Sequence, residues 1–194
     1  IANGKAGNGG GILNNGTLMV MNSTFSGNSA GTSYGGGIHN NGMLAVMGST
    51  FQNNSAGTYG GGISNFSTLT VTNSTFSGNS ADSDNSTGLG GGIYNLGTLT
   101  VTNSTFSGNS ATGAGGGIRN GGTATLKNTI IANSISGGDC VGTLSGTSNH
   151  NLIKDSANAC GLTHGANGNI IGLDPNLGAL TGSPAYFPLN PGSP

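Results

Sequence analysis

The chain has 194 residues, of which 5% are charged against about 25% in an average globular protein, and its formal net charge is −1. So little charge offers no electrostatic footprint for nucleic acid or an anionic membrane surface, and no apolar run reaches the roughly 18 residues of a transmembrane helix. Glycine accounts for 41 residues but lacks the every-third-residue spacing of collagen, which excludes a triple helix.

A Gly-Gly-Gly-Ile signature recurs along the chain. Its isoleucines follow one another at steps of 26, 25, 30 and 25 residues and stand at Ile12, Ile38, Ile63, Ile93 and Ile118. Each of the first four signatures is followed by a copy of one segment, and residues 98–111 repeat residues 68–81. A period of this size predicts a solenoid, in which each unit buries its face only against its neighbours.

Three short strands are predicted in each unit. The first is Gly-Ile-x-Asn, the second is a Thr-Leu-x-Val segment that alternates with period two, and the third is Thr-Phe-x-x-Asn. In the fifth unit Ile131 takes the phenylalanine column, and Asn133 or Ser134 takes the asparagine column. The abundant glycine and β-branched residues argue against a helical solenoid. We therefore predict an all-β parallel β-helix with three short strands per coil and about seven coils.

Two columns of asparagine are predicted to be structural. Asparagine tolerates the left-handed conformation of a corner, and stacked asparagine side chains can bond from coil to coil as an amide ladder. The columns consist of Asn14, Asn40, Asn65, Asn95 and Asn120 in the first strands and of Asn28, Asn54, Asn79 and Asn109 after the third. The glycine triplets are predicted to allow a close backbone approach.

The outward positions of the second strands form a possible contact face. They are Met19, Met21, Met43 and Met47 in the first two units and Thr68, Thr70, Thr72, Thr98, Thr100 and Thr102 in the next two. Threonine is a favoured exposed residue in strands and needs no functional explanation. Adjacent exposed methionines, in contrast, are typical of a contact, so we expect a neighbouring subunit or chain segment to cover them.

The only two cysteines, Cys140 and Cys160, lie 20 residues apart in the part of the chain without the repeat. We expect a disulfide that closes a loop, which also indicates an oxidising compartment. Free thiols and a metal site remain alternatives, although His150 and His164 do not give the close ligand pairs of a zinc site.

Carboxylates are too few and too scattered to predict catalysis. The chain contains five aspartates and no glutamate, and Arg119 and Lys127 fall in a coil that lacks a carboxylate partner. Polysaccharide lyases and glycosidases need paired charges on one face. Asp82 and Asp84, in the insertion that lengthens one repeat, are a weak calcium candidate without the remaining ligands of a known loop. We expect no enzyme activity, no cofactor and no metal.

The combination of Gly-Gly-Gly-Ile with Phe-Ser-Gly-Asn resembles the GGA[I/L] and FxxN repeats of the polymorphic outer-membrane protein family. The tail, from Asn128-Thr-Ile-Ile-Ala-Asn through the two cysteines to Gly172-Leu-Asp-Pro-Asn-Leu-Gly178 and Pro191-Gly-Ser-Pro, resembles the choice-of-anchor domain of exported bacterial proteins. The first resemblance implies a right-handed β-helix, and both imply an extracellular or cell-surface location. The anchoring signal that follows such domains is not found before Pro194.

Residues 1–134 are expected to form the repeat array and residues 135–194 a C-terminal coil or cap region of the same continuous domain. No cap pattern precedes the first full signature, so we expect further coils or another molecule to stack there. The expected function is a non-enzymatic structural protein of the bacterial cell surface or extracellular matrix that self-associates into a filament or stalk. An adhesin that binds surface glycans is the first alternative, and a β-helical polysaccharide lyase or hydrolase is the second.

Overall fold

The computed structural model describes residues 1–82 and 87–194 and is a parallel β-solenoid of about six turns. The predicted fold class is confirmed, and the number of turns is close to the seven expected. In the described ranges, no helix is long and apolar enough to cross a membrane.

The strands follow the repeat coil by coil. The first coil contains β1 (Ile12–Asn14), β2 (Thr17–Met21) and β3 (Thr24–Ser26). The second contains β4 (Ile38–Asn40), β5 (Met43–Met47), β6 (Thr50–Gln52) and β7 (Ser55–Ala56). The third contains β8 (Ile63–Asn65), β9 (Thr68–Thr72), β10 (Thr75–Ser77) and β11 (Ser80–Ala81). The fourth contains β12 (Ile93–Asn95), β13 (Thr98–Thr102), β14 (Thr105–Ser107) and β15 (Ser110–Ala111).

The last part of the chain continues the coils, and strands of two residues replace the longer ones towards its end. The strands of this part are β16 (Ile118–Asn120), β17 (Thr123–Lys127), β18 (Ile130–Ala132), β19 (Cys140–Val141), β20 (Leu152–Ile153) and β21 (Ile170–Ile171). A 3-10 turn (Ala166–Gly168) precedes β21, and a two-stranded hairpin of β22 (Thr181–Gly182) and β23 (Ala185–Tyr186) follows it.

Equivalent strands of successive coils pair in parallel and form the walls of the solenoid. Sheet 1 has the order β1-β4-β8-β12-β16-β19, sheet 2 the order β2-β5-β9-β13-β17, and sheet 3 the order β3-β6-β10-β14-β18-β20-β21. A short sheet 4, β7-β11-β15, was not predicted from the sequence. The registers place like residues opposite one another, so that Phe76 pairs with Phe51 and Phe106.

Inward side chains of the three main sheets form one continuous core. Phe25, Phe51, Phe76 and Phe106 stack face to face, with ring centroids 4.6–4.8 Å apart, and Ile131 continues the column as predicted from the repeat. These side chains are at most 1% exposed. The repeat therefore stacks identical residues, because the pleat of each coil presents the same positions to the same neighbours.

The chain after β21 turns back along the outer face of sheet 3. Its hairpin reaches β6, where the Thr50 hydroxyl accepts a hydrogen bond from the Ala185 amide (2.9 Å) and donates one to the Ala185 carbonyl oxygen (3.2 Å). Thr50 is fully buried, whereas Thr24, the equivalent residue on β3, is exposed. The tail therefore covers part of the outward face of sheet 3.

Candidate functional site

The predicted disulfide between Cys140 and Cys160 is confirmed, with the two Cα atoms 5.0 Å apart. Cys140 lies on β19 and pairs with Ile118 of sheet 1, and both cysteines are buried. The bond therefore ties the loop of residues 141–159 to the core of the last coils.

Reducing this disulfide is expected to lower the free energy of unfolding by about 3 kcal/mol, because a cross-link over a 20-residue separation restricts the unfolded chain. Urea unfolding followed by circular dichroism, with and without reductant, measures the change. A Cys140→Ala/Cys160→Ala variant is the control, since its unfolding midpoint should not respond to reductant. Equal midpoints for the oxidised and reduced protein would contradict the prediction.

Both asparagine columns form buried ladders between coils. In sheet 1, side-chain amides of successive asparagines bond at 2.7–2.8 Å from Asn14 to Asn120. After sheet 3, the ladder runs from Asn28 through Asn54 and Asn79 to Asn109 at 2.8–2.9 Å. Each amide also donates to a backbone carbonyl, as Asn54 does to Phe25 (3.0 Å). The ladders thus satisfy polar groups inside the solenoid and hold successive coils in register.

A third polar column, of serines, was missed by the sequence analysis. The hydroxyl groups of Ser49, Ser74 and Ser104 each accept the backbone N–H of the equivalent residue one coil earlier, at 3.1 Å. Each of these hydroxyls also donates to the carbonyl two residues before it. This column could have been predicted from the recurrence of serine directly before the third strand of each coil.

The outward face of sheet 2 carries the methionines and threonines proposed as a contact face. Met19, Met21, Met43 and Met47 are 63%, 51%, 59% and 40% exposed. A shallow apolar depression of about 260 Å³ lies between β2, β5 and β9 and is lined in part by Met19, Met43 and Ala45. We call this surface of β2 and β5 the methionine face. In the described part of the chain, no segment covers it, and Lys127 on β17 is the one charged side chain on the strands of sheet 2.

An aromatic cluster on the outer side of sheet 1 was also missed. Tyr34, Tyr59 and Tyr94 stack in a row, with centroids 5.1 and 4.4 Å apart, and Phe66 contacts His39 edge-on at 5.3 Å. The cluster could have been predicted from the tyrosines that directly precede two of the glycine triplets. His39 is buried and its Nδ1 atom has no hydrogen-bond partner among the described residues. Burial lowers the pKa of His39.

Burial also raises the pKa of Tyr94, and the neighbouring Tyr59 raises it further. The opposing charge of Arg119 lowers this pKa by a smaller contribution. The Arg119 guanidinium itself donates to the backbone carbonyl of Asn120 at 2.6 Å. Burial therefore favours the neutral forms of His39 and Tyr94, and the cluster resembles a small second core more than a charged site.

In the ranges described, Asp139 and Asp155 line one depression together with Lys154. Asp139 is buried, and its carboxylate accepts the backbone N–H groups of Ser134 (3.1 Å) and Asp155 (2.8 Å). Asp174 pairs with Lys154 at 2.7 Å, and this hydrogen bond lowers the pKa of its exposed carboxyl group. Asp82 is exposed, and Asp84 lies outside the described residues. Within those ranges, no three potential metal ligands come together.

These observations define the class of the protein, a parallel β-solenoid built from stacked sequence repeats. Four segments match the repeat of the Chlamydia polymorphic membrane proteins, at residues 22–41, 48–65, 73–96 and 103–121. Each match begins at the corner after a strand of sheet 2 and ends just after or at the end of a strand of sheet 1. The chain therefore contains β-helix repeats of the polymorphic membrane protein type, as the resemblance implied. No curated protein and no solved structure matches it.

The four matches end at residue 121. The resemblance of the tail to the choice-of-anchor domain consequently stays a prediction.

Proposed function

We propose that this chain is a non-enzymatic structural β-helix of the bacterial cell surface or extracellular matrix that self-associates through the methionine face. The repeat match supports a surface location, because repeats of this type are those of polymorphic membrane proteins. The observation that carries the proposal is the exposure of four methionines on two adjacent flat strands.

Charge does not oppose such association. The methionine face contains no ionisable side chain, and the whole chain has a formal net charge of −1. Two copies that bring these faces together therefore desolvate thioether and methyl groups without burying an unpaired charge. Methionine side chains also adapt to an imperfectly matched partner, because they are flexible and polarizable.

Even the whole outward face of sheet 2, of which the methionine face is a part, is small enough to indicate weak association. Five strands spaced about 4.8 Å apart, each of five residues at about 3.3 Å per residue, span roughly 400 Å². A stable interface of standard size buries about 800 Å² per partner. Sheet 2 alone therefore supports concentration-dependent pairing, and a filament needs a second contact. End-to-end stacking of coils is the second contact that we propose, since strand edges readily pair with further strands.

Replacing Met19 and Met43 together by glutamate is expected to abolish face-to-face pairing, since two like-charged, hydrated faces would oppose each other. Sedimentation velocity over a range of concentrations should show association of the wild type and a lower sedimentation coefficient for the variant. Ile135→Glu is the matched control, because Ile135 is an exposed apolar residue (77%) outside sheet 2. A wild type that stays monomeric at millimolar concentration, and forms no filaments in electron micrographs, would contradict the proposal.

A second candidate function, binding of surface glycans, is supported by the aromatic cluster. Tyr34 and Tyr59 are half-buried and Phe66 is 37% exposed, so part of the cluster is accessible to solvent. Amphipathic aromatic side chains of this kind are enriched at recognition sites. Retention of the protein on a glycan array, and its loss in a Tyr59→Ala variant, would test this function.

A further inference from the structure

A corner follows each strand of sheet 2, and three of the five corners carry the sequence Asn-Ser-Thr. All five corner residues have left-handed backbone conformations, with φ between 45° and 56°. They are Asn22, Gly48, Asn73, Asn103 and Asn128. Only glycine and asparagine adopt this conformation at low cost, so the corner accounts for the asparagine itself. All four of these asparagines are exposed to solvent.

We propose that Asn22, Asn73 and Asn103 are acceptors of N-linked glycans. Asn-x-Ser/Thr is the acceptor sequence for this modification and is used at surface positions of exported proteins. The co-reactants are a lipid-phosphate-linked oligosaccharide and its transferase. A bond forms between the asparagine Nδ2 atom and C1 of the first sugar, while the bond from C1 to the phosphate oxygen breaks. The lipid phosphate leaves and takes up the proton that Nδ2 loses, and nothing is oxidised or reduced.

The local contacts leave the reacting groups available. In the described ranges, the side-chain amides of Asn22 and Asn73 make no hydrogen bond, and Asn103 uses only its Oδ1 atom, which accepts from Asn128 at 3.1 Å. The hydroxyl group of the central serine in each sequence donates a hydrogen bond to the backbone, as that of Ser104 does to the Thr102 carbonyl oxygen at 2.9 Å. The threonine hydroxyl, which the transferase must recognise, is not part of that serine column.

The chain contains two internal controls. Asn128 occupies the same kind of corner and is exposed, but Thr129 and Ile130 follow it, so the required hydroxyl group is missing. Asn65 begins the acceptor sequence Asn-Phe-Ser, yet it is fully buried and bonded in the ladder of sheet 1. Asn15 and Asn53 are also exposed and also begin acceptor sequences. They lie at other corners and are not among the three acceptors proposed.

The three acceptors differ in accessibility on the folded protein. Thr24 is exposed, Thr105 is half-buried, and Thr75 is only 6% exposed beside Thr50, which the C-terminal hairpin covers. Transfer to the folded chain should therefore be greatest at Asn22, intermediate at Asn103 and least at Asn73. The proposal rests on an exported location and not on self-association through the methionine face.

Peptide mass spectrometry of the protein isolated from the cells that produce it tests the proposal. Residues 6–118 contain no lysine or arginine, so chymotrypsin is the suitable protease. Cleavage after Phe25, Phe76 and Phe106 separates the three acceptors, and cleavage after Leu18 and Leu99 separates Asn22 and Asn103 from the acceptor sequences at Asn15 and Asn85. We expect glycan masses on the peptides of Asn22, Asn73 and Asn103 and unmodified Asn65 and Asn128. Unmodified asparagine at all three acceptor positions would overturn the proposal.

Two variants test the specificity on the purified, folded chain with an oligosaccharyltransferase and a lipid-linked oligosaccharide. Thr24→Val should lose transfer at Asn22 alone, and Ile130→Thr should create a new acceptor at Asn128. Circular dichroism spectra and thermal midpoints equal to those of the wild type show that both variants fold. Transfer that ignores these changes, or that appears on Asn65, would also overturn the assignment.

Discussion

Replacing Asn79 by leucine is expected to lower the free energy of unfolding by roughly 3–5 kcal/mol. Asn79 is fully buried, and its Nδ2 atom donates to Asn109 Oδ1 and to the Phe51 carbonyl oxygen, both at 2.9 Å. Its Oδ1 atom accepts the backbone N–H of Asn54 at 3.1 Å and the side-chain amide of Asn54 at 2.9 Å. Leucine has a similar volume but satisfies none of these groups, and each unpaired buried group costs about 1–3 kcal/mol.

The measurement must resolve single coils, because long repeat arrays can lose all-or-none unfolding. Hydrogen exchange should show faster exchange of the Asn54 amide, alongside an earlier urea midpoint by circular dichroism. Asn73→Gly is the matched control, since Asn73 is an exposed corner residue with φ of 50°, which glycine also adopts. That control should change stability by at most about 0.5 kcal/mol. An Asn79→Leu variant as stable as Asn73→Gly would refute the structural role of the ladder.

Replacing Gly61 by alanine is expected to lower the free energy of unfolding by about 3 kcal/mol or more. Gly61 belongs to the third glycine triplet, and a Cβ atom there would overlap the Ser80 carbonyl oxygen and lie 2.5 Å from the Gly91 carbonyl oxygen. Both obstacles are backbone atoms held by ladders between coils, so neither can move without breaking hydrogen bonds. A protein interior is packed too densely to absorb the displacement elsewhere.

Thermal unfolding of Gly61→Ala followed by circular dichroism measures this effect. Gly16→Ala is the control, because no atom lies within 4 Å of the Cβ position at Gly16. The control should unfold within a few degrees of the wild type, whereas Gly61→Ala should unfold far earlier or fail to fold. Similar midpoints for the two variants would show that the triplet is not needed for close packing of the backbone.

Most of the fold could be predicted from the sequence because the contacts of a solenoid are periodic. A residue such as Phe76 meets its equivalents Phe51 and Phe106, so a one-dimensional pattern already contains the core contacts. The disulfide could be predicted for a similar reason, since the chain has only two cysteines and no other partner for either. The outward methionines followed from the period-two alternation of the second strands.

The aromatic cluster was missed because its contacts join different positions of the repeat. The aromatic cluster joins Tyr34, which precedes a glycine triplet, to Phe66, which follows one, and only the folding of the coil brings their rings within 5.6 Å. The serine column was hidden because serine also occurs in ordinary turns. The short sheet 4 has strands of two residues, too short to show an alternating pattern.

The sequence by itself determined the period, the three main strands of each coil, the inward columns and the disulfide. The first three follow because each residue of a stacked array contacts its equivalents in the neighbouring coils, and the disulfide follows because the chain has only two cysteines. Only the tertiary structure decided which outward surfaces are accessible. The tail returns over sheet 3 and buries Thr50, while Thr68, Thr98 and the methionine face on sheet 2 stay exposed. This distinction depends on a contact between residues 135 positions apart, which has no counterpart in the repeat and leaves no periodic signal.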